Sequence, residues 1–322
     1  MIGDGMGLSQ ISMAYYFQKD KTNFDRFFDI GLIITSSKSH KITDSAAGAT
    51  AFSTGKKTYN GAIGLDADSN TVPNIVEIIN KEKQMSAGLV ATSSITHATP
   101  ACFYAHQKNR NMEYEIASDL IKSPVVYFAG GGKKFFRPIQ KQLADQFLFD
   151  TTELQIKHLK SDKRYGFLLA ENGMPKWSES RGDFLIKATQ LGMDRLSLDT
   201  NGFFLMVESS QIDWGGHAND PDFILSELID FDKTIGRVLD FAEINQETLV
   251  IVTADHETGG LALTAENTKD NKRNYRNIEP AFTSGGHSAT LVPVYAFGPG
   301  SDQFRGTYHN TEIFEKIVSL IK

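Results

Sequence analysis

Three histidines and four acids of this chain stand in short clusters where cation chemistry is possible. Asp255-His256 sets an oxygen and a nitrogen donor side by side, the mixture that zinc takes. An Asp helix cap beside a surface histidine would be spelled the same way. In Glu208-Ser-Ser-Gln-Ile-Asp213-Trp-Gly-Gly-His217, Asp213 and His217 are four apart and two glycines permit a tight turn. That run could serve two neighbouring ions or be a solvated acidic loop. His287 follows a glycine pair in Thr283-Ser-Gly-Gly-His287, and Asp4 is flanked by glycines in Gly3-Asp4-Gly5-Met6-Gly7. A lone glycine-rich loop is a weak phosphate or metal signal. The fifth cluster is Thr43-Asp44-Ser45, followed by Ala46, Ala47, Gly48 and Ala49. Small residues running into a helical pattern put Ser45 near a helix N-terminus. Free N–H groups and the helix dipole there favour anions and an alkoxide, although a plain N-cap is common at such a position. No Ser-His-Asp spacing accompanies Ser45, so a metal is its expected activator. Taken together, the clusters would suit two or three divalent ions around one nucleophile.

Such residues need a scaffold. Apolar, β-rich runs at 32–35, 87–92, 125–129, 165–169, 203–207, 249–253 and 294–297 alternate with helical patterns at 45–54, 73–83, 112–122, 183–191, 221–243 and 310–321. In the longest helix, Ile224, Leu228, Phe231, Ile235 and Val238 form a 3.6-period stripe, and Asp220 or Asn219 before Pro221 gives a start. Alternation predicts an α/β fold, a mostly parallel central sheet with helices on both faces. Ligands of such sheets lie at the carboxyl ends of strands. Three clusters obey that rule: Glu208 after 203–207, Asp255-His256 after 249–253, and Thr96-His97-Ala98-Thr99 after 87–92. Residues 130–182 have a weaker pattern, and the polar stretch 264–286 reads as a surface insertion or long loop. The whole, 1–322, reads as a single domain. Only three residues precede Asp4, whereas such a turn normally follows a strand; the expectation is a chain lacking its N-terminal strand and any signal sequence.

Composition sets limits. The 322 residues carry a net charge of −6, which gives no footprint for nucleic acid. An anionic substrate would need local attraction from metals or a few cations. Cys102 is the single cysteine, so no intrachain disulfide can form. No run reaches the roughly 18 apolar residues of a membrane span.

In this order along the chain, Gly3-Asp-Gly-Met-Gly7, Thr43-Asp-Ser-Ala-Ala47, Thr253-Ala-Asp-His-Glu-Thr-Gly-Gly260 and Gly285-Gly-His287 resemble the motifs of the alkaline phosphatases. Thr99-Pro-Ala, Tyr104-Ala-His and Asn109-Arg110-Asn111 are similar too, so the resemblance runs from residue 3 to about 300. It implies hydrolysis of phosphate monoesters through a phosphoserine at Ser45. It also implies one zinc on Asp213, His217 and His287, a second zinc on Asp4, Asp255 and His256, and magnesium on Asp4, Thr99 and Glu208. Arg110 matches the arginine that clamps phosphate, a role suited to a planar bidentate donor. His97 and Trp214, expected beside the substrate, resemble a bacterial subset that includes cold-adapted members; other members carry Asp at the first position and Lys or His at the second. His97 could act behind the third metal or displace magnesium. The stretch 264–286 would be a minimal form of the crown insertion of animal members. A homodimer and a periplasmic or secreted location are further expectations from the resemblance. The alternatives are a phosphodiesterase of the same superfamily and a non-catalytic phosphate- or metal-binding relative. A sulfatase is disfavoured, because Cys102 lies in Pro-Ala-Cys-Phe rather than in a modifiable motif.

Overall fold

A parallel strand with helices on both faces must be apolar along its whole length, and Ser86–Ser94 is buried at every position. The computed structural model describes all residues except 269, 271 and 322. Its strands, in chain order, are β1 (Ile2–Gly3), β2 (Asp29–Ile34), β3 (Ser86–Ser94), β4 (Val125–Gly131), β5 (Leu148–Asp150), β6 (Tyr165–Ala170), β7 (Phe203–Ser209), β8 (Val250–Val252), β9 (Glu257–Thr258), β10 (Leu261–Asn267), β11 (Arg273–Phe282), β12 (His287–Ser288), β13 (Val292–Phe297) and β14 (Gly306–His309). Six of them form an all-parallel sheet in the order β1-β7-β3-β4-β6-β5. Four more form a mixed sheet, β14-β2-β13-β8, in which β13 runs antiparallel to both neighbours. A parallel bridge between Ile2 and Thr253 joins the two sheets edge to edge. The centre of the combined sheet therefore reads β3-β7-β1-β8, four strands in one direction.

The helices are α1 (Leu8–Phe17), α2 (Ser45–Thr54), α3 (Ile75–Lys83), α4 (Ala98–Ala101), α5 (Glu113–Lys122), α6 (Lys133–Phe136), α7 (Gln140–Gln146), α8 (Phe184–Leu196), α9 (Gln211–His217), α10 (Pro221–Asn245) and α11 (Thr311–Leu320). The helix α10 starts as its sequence predicts: Asp220 caps the Asp222 and Phe223 amides, and Pro221 occupies the first turn. Its stripe Ile224, Leu228, Phe231 and Ile235 is fully buried.

The structure adds elements that periodicity did not predict. Helix α1 buries Gln10, Ile11, Met13 and Ala14 but leaves Tyr15, Tyr16 and Phe17 exposed, so its apolar residues trace no clean stripe. The 130–182 stretch holds α6, α7, β5 and β6. Among the described residues of 264–286, β10 and β11 pair as an antiparallel ribbon with a bulge at Ala265/Glu266 rather than forming a long loop. Residues 269 and 271 of that stretch lie outside the described residues.

Candidate active site

The four central strands deliver their carboxyl ends to one place. From β1 comes Asp4, from β7 Glu208, from β8 Asp255 and His256, and beyond β3 lie His97 and Thr99. Asp4, Thr99, Glu208, Asp255 and His256 are fully buried. Gly5 takes φ +72, and a Cβ there would come within 2.8 Å of the Asp213 backbone, so the turn after Asp4 requires glycine.

Ser45 is the first residue of α2. Asp44 caps the helix by accepting from the Ala47 amide at 3.0 Å. All of α2 is buried. Its small residues have a steric reason: a Cβ on Gly48 would come within 3.0 Å of Asp255 Cβ. Ser45 Oγ thus lies 3.2 Å from His256 Nε2. That nitrogen is 3.3 Å from Asp255 Oδ2 and 3.5 Å from Asp4 Oδ1. A tetrahedral zinc site with bonds of about 2.0–2.2 Å would space its donors about 3.3–3.6 Å apart. The observed spacings fit such a cation.

A second cluster has the same spacing. His287 Nε2 lies 3.2 Å from His217 Nε2 and 3.6 Å from Asp213 Oδ1, while His217 Nε2 lies 3.4 Å from Asp213 Oδ2. The Nδ1 atoms of His217 and His287 face the carbonyls of Gly285 at 2.7 Å and Thr43 at 2.9 Å. An Nδ1–H donated to a carbonyl turns the Nε2 lone pair toward the centre, a common support for ligating histidine. His256 stacks on His287 with ring centroids 3.5 Å apart, so the two clusters adjoin.

The third cluster is Asp4, His97 and Glu208, whose ligand atoms lie within 4.8 Å of one another. The Thr99 hydroxyl, Glu208 Oε1 and His97 Nδ1 are buried and have no hydrogen-bond partner among the described residues. Burial and Arg110 push His97 down to about 3, which keeps its ring neutral. Arg110 Nη2 approaches His97 Nε2 at 3.4 Å, while its Nη1 donates to Asp44 Oδ2 at 3.1 Å. Trp214 stands edge-on to His97, with centroids 6.3 Å apart.

The electrostatics are unbalanced. Burial, then Asp255, Asp213 and Glu208, hold the Asp4 carboxyl well above the usual range. Burial lifts Glu208 to about 7. Burial also works against the Asp213 charge, but the hydrogen bond with His217 and nearby histidines hold its carboxyl below the usual range. Both Asp4 oxygens and Asp255 Oδ2 lack hydrogen-bond partners among the described residues. Buried carboxylates this close cannot all ionise unless a cation compensates them. The donor set, its spacing and its unmatched negative charge therefore fit divalent metals.

Every residue singled out in the sequence is brought to this one locality. Four supporting residues were missed. Thr258 donates to Asp213 Oδ1 at 2.5 Å and lies 3.2 Å from His256 Nδ1, linking two clusters. Its position, two after His256 in the same motif, was the available signal. Asp44 holds Arg110 besides capping α2. Glu257 accepts from Gln10 and the Gly260 and Leu261 amides, as well as from Ser288 next to His287. Glu113 accepts from Ser94 and Thr96, steadying the turn that carries His97.

Known proteins share this arrangement. A sequence model of the family described as "Alkaline phosphatase" matches residues 1–145 and 128–274. Alkaline phosphatase 3 of Bacillus subtilis is 33% identical over 410 residues, spanning 100% of this chain and 88% of its own. The structure of alkaline phosphatase from the Antarctic bacterium TAB5 superposes with a TM-score of 0.96 at 50% identity, covering 99% of this chain and 96% of that one. A variant of that protein with one histidine changed to aspartate is described with Mg bound in a site called M3. The cold-active enzyme of Shewanella sp. gives a TM-score of 0.92 at 31% identity, covering 100% and 98%. Sheet, site and relatives agree: the chain belongs to the alkaline phosphatase family of metal-binding hydrolases that act on phosphate monoesters.

Proposed function

We propose that the chain hydrolyses phosphate monoesters through a covalent phosphoserine at Ser45. The observation that carries this reading is the placement of Ser45 Oγ 3.2 Å from His256 Nε2, with Ser45 the first residue of α2. Ser45 Oγ forms a bond to phosphorus, the ester P–O bond breaks, and the alcohol leaves. Water then cleaves the Oγ–P bond, releasing inorganic phosphate and restoring Ser45. Arg110, aimed by Asp44, donates to two oxygens of the phosphoryl group and keeps it in line. His97 and Trp214 form the wall beside it.

Asp4, Asp255 and His256 would hold one zinc and Asp213, His217 and His287 another. Asp4, Thr99 and Glu208 would hold magnesium, with His97 next to it. Bound there, the cations would supply neutralisation of the attacking, equatorial and leaving oxygens. The same family reading proposes a homodimer outside the cytoplasm and treats the β10–β11 ribbon as a minimal crown. Sedimentation would test the dimer.

The decisive experiment compares an aryl phosphate monoester with the diester of the same phenol, alongside elemental analysis of the purified protein. The expected result is a large preference for the monoester and more than one zinc per chain. Preference for the diester would favour a phosphodiesterase, and an absence of zinc would overturn the metal assignment.

A further inference from the structure

Trp214 stands beside His97, and the end of its indole meets the segment 171–183 that joins β6 to α8. A Cβ on Gly173 would lie 2.7 Å from Trp214 Cη2 and 3.4 Å from Cζ3. Carbon atoms in contact prefer about 3.5–4.0 Å. The indole therefore occupies the space that a side chain at 173 would need. Gly173 does not take a positive φ, so its backbone would accept alanine. The closest obstacle to a larger residue is Trp214 itself.

The Gly173 backbone is held against retreat. Met174 N–H donates to the Thr92 carbonyl of β3 at 2.9 Å, and the Asn172 carbonyl accepts from Gly132 N–H, just past β4, at 2.6 Å. Both chain neighbours of Gly173 are thus tied to the central sheet. Gln211 Nε2 of α9 donates to the Met174 carbonyl at 2.7 Å. Further along, Trp177 N–H donates to Glu227, and Arg181 donates to the Pro175 carbonyl, Glu227 and Asp230. Sheet, α9 and α10 all fasten the segment, whereas the contacting atoms of Trp214 are the far end of a side chain. A side chain at 173 would move the indole rather than the segment.

The contacts continue toward the site. Trp214 adjoins His97 edge-on, with ring centroids 6.3 Å apart, and His97 Nε2 lies 3.4 Å from Arg110 Nη2. We propose that Gly173 is a positioning residue: its missing side chain seats the Trp214 indole, which through His97 sets where the Arg110 guanidinium stands, a role that rests on the phosphate clamp proposed for Arg110. A planar, bidentate donor tolerates little displacement, so a small shift of the indole is read out as weaker phosphate binding.

The test uses the metal-loaded full chain carrying Trp177→Phe, which leaves Trp214 as the single tryptophan. Gly173→Ala should shift the Trp214 emission maximum. It should also weaken inhibition by inorganic phosphate about threefold or more, with zinc content unchanged by elemental analysis. Made together with Trp214→Ala, the same change should alter inhibition by less than about twofold, because the ring it displaces is gone. Unmoved emission would overturn the proposal, as would equal weakening with and without Trp214. Loss of zinc would place the effect on Asp213 and His217, the neighbours of Trp214 in α9, and would also overturn it. If Gly173→Ala yields no folded protein, recovery on adding Trp214→Ala supports the seat and failure to recover refutes it. Absence of phosphate inhibition before Gly173 is changed would refute the clamp, a failure that the emission tells apart from loss of the seat.

Discussion

Glu227 and Asp230 are buried acids, and so are Asp4, Glu208 and Asp255, but the two groups meet their charge in different ways. Against α10, Arg181 enters the interior and donates to both Glu227 and Asp230, its side chain fully covered. Burial raises Asp230 to about 6, and the guanidinium opposes that rise. At the carboxyl ends of β1, β7 and β8, Arg110 approaches but donates to Asp44 and faces His97 rather than bonding to these acids. Behind it, both Asp4 oxygens, Glu208 Oε1 and Asp255 Oδ2 have no hydrogen-bond partner among the described residues. The Arg181 cluster thus carries its own counter-ion, whereas at the strand ends the proposed cations would supply it.

Chelation should separate the two regions most sharply. Removing divalent metals should abolish monoester turnover and lower Tm, because ions that bind only the folded state stabilise it. The Arg181 cluster should be indifferent to the chelator, so retained activity after exhaustive chelation would break the comparison. Ser45→Ala sharpens it from the other side: kcat should fall by roughly 10⁴-fold or more, with zinc content unchanged by elemental analysis. Arg181→Met leaves Glu227 and Asp230 without their partner and should cost about 3–5 kcal/mol in denaturant unfolding. If the loss were below about 1 kcal/mol, the cluster would not be a neutralised ion group. Arg110→Ala should weaken inhibition by inorganic phosphate about 10- to 100-fold, the worth of a bidentate charge-assisted contact. Loss of zinc in that variant would make Arg110 structural instead.

The smallest effect concerns a partly buried pair. His106 Nε2 lies 3.1 Å from Glu77 Oε1. Burial opposes both charges, yet the mutual hydrogen bond raises His106 and lowers Glu77. The Glu77 contribution is present above its unfolded value of about 4.3, and the His106 contribution below about 6.5. The pair therefore stabilises most between these values, losing strength as pH falls through the lowered Glu77 or rises through the raised His106. His106→Gln should cost about 0.5 kcal/mol near pH 6 and less at pH 9.

Sequence and structure agree most where chemistry and local pattern coincide. Strand ends marked by Glu208 and by Asp255-His256 were legible because apolar runs break at those residues. Helix α10 was legible from its stripe and its Asp220-Pro221 start. The Arg181 cluster was not, since its partners lie 46 and 49 residues away and only packing joins them. The β10–β11 ribbon was hidden by polar composition, because a ribbon half exposed on both sides needs little apolar alternation. The central position of Ile2–Gly3 came from long-range pairing with Glu208 and Thr253, which two residues cannot announce.

Asp4 belongs both to the cluster with Asp255 and His256 and to the cluster with His97 and Glu208. A cation at either place changes the charge that this one carboxylate offers to the other. If both positions bind cations as proposed, their loading would be linked: the affinity of each would depend on whether its neighbour is filled, and by the same factor in both directions. Occupancy would then respond to free metal concentration as a coupled system, and a shortage of one ion would be felt at the position of the other.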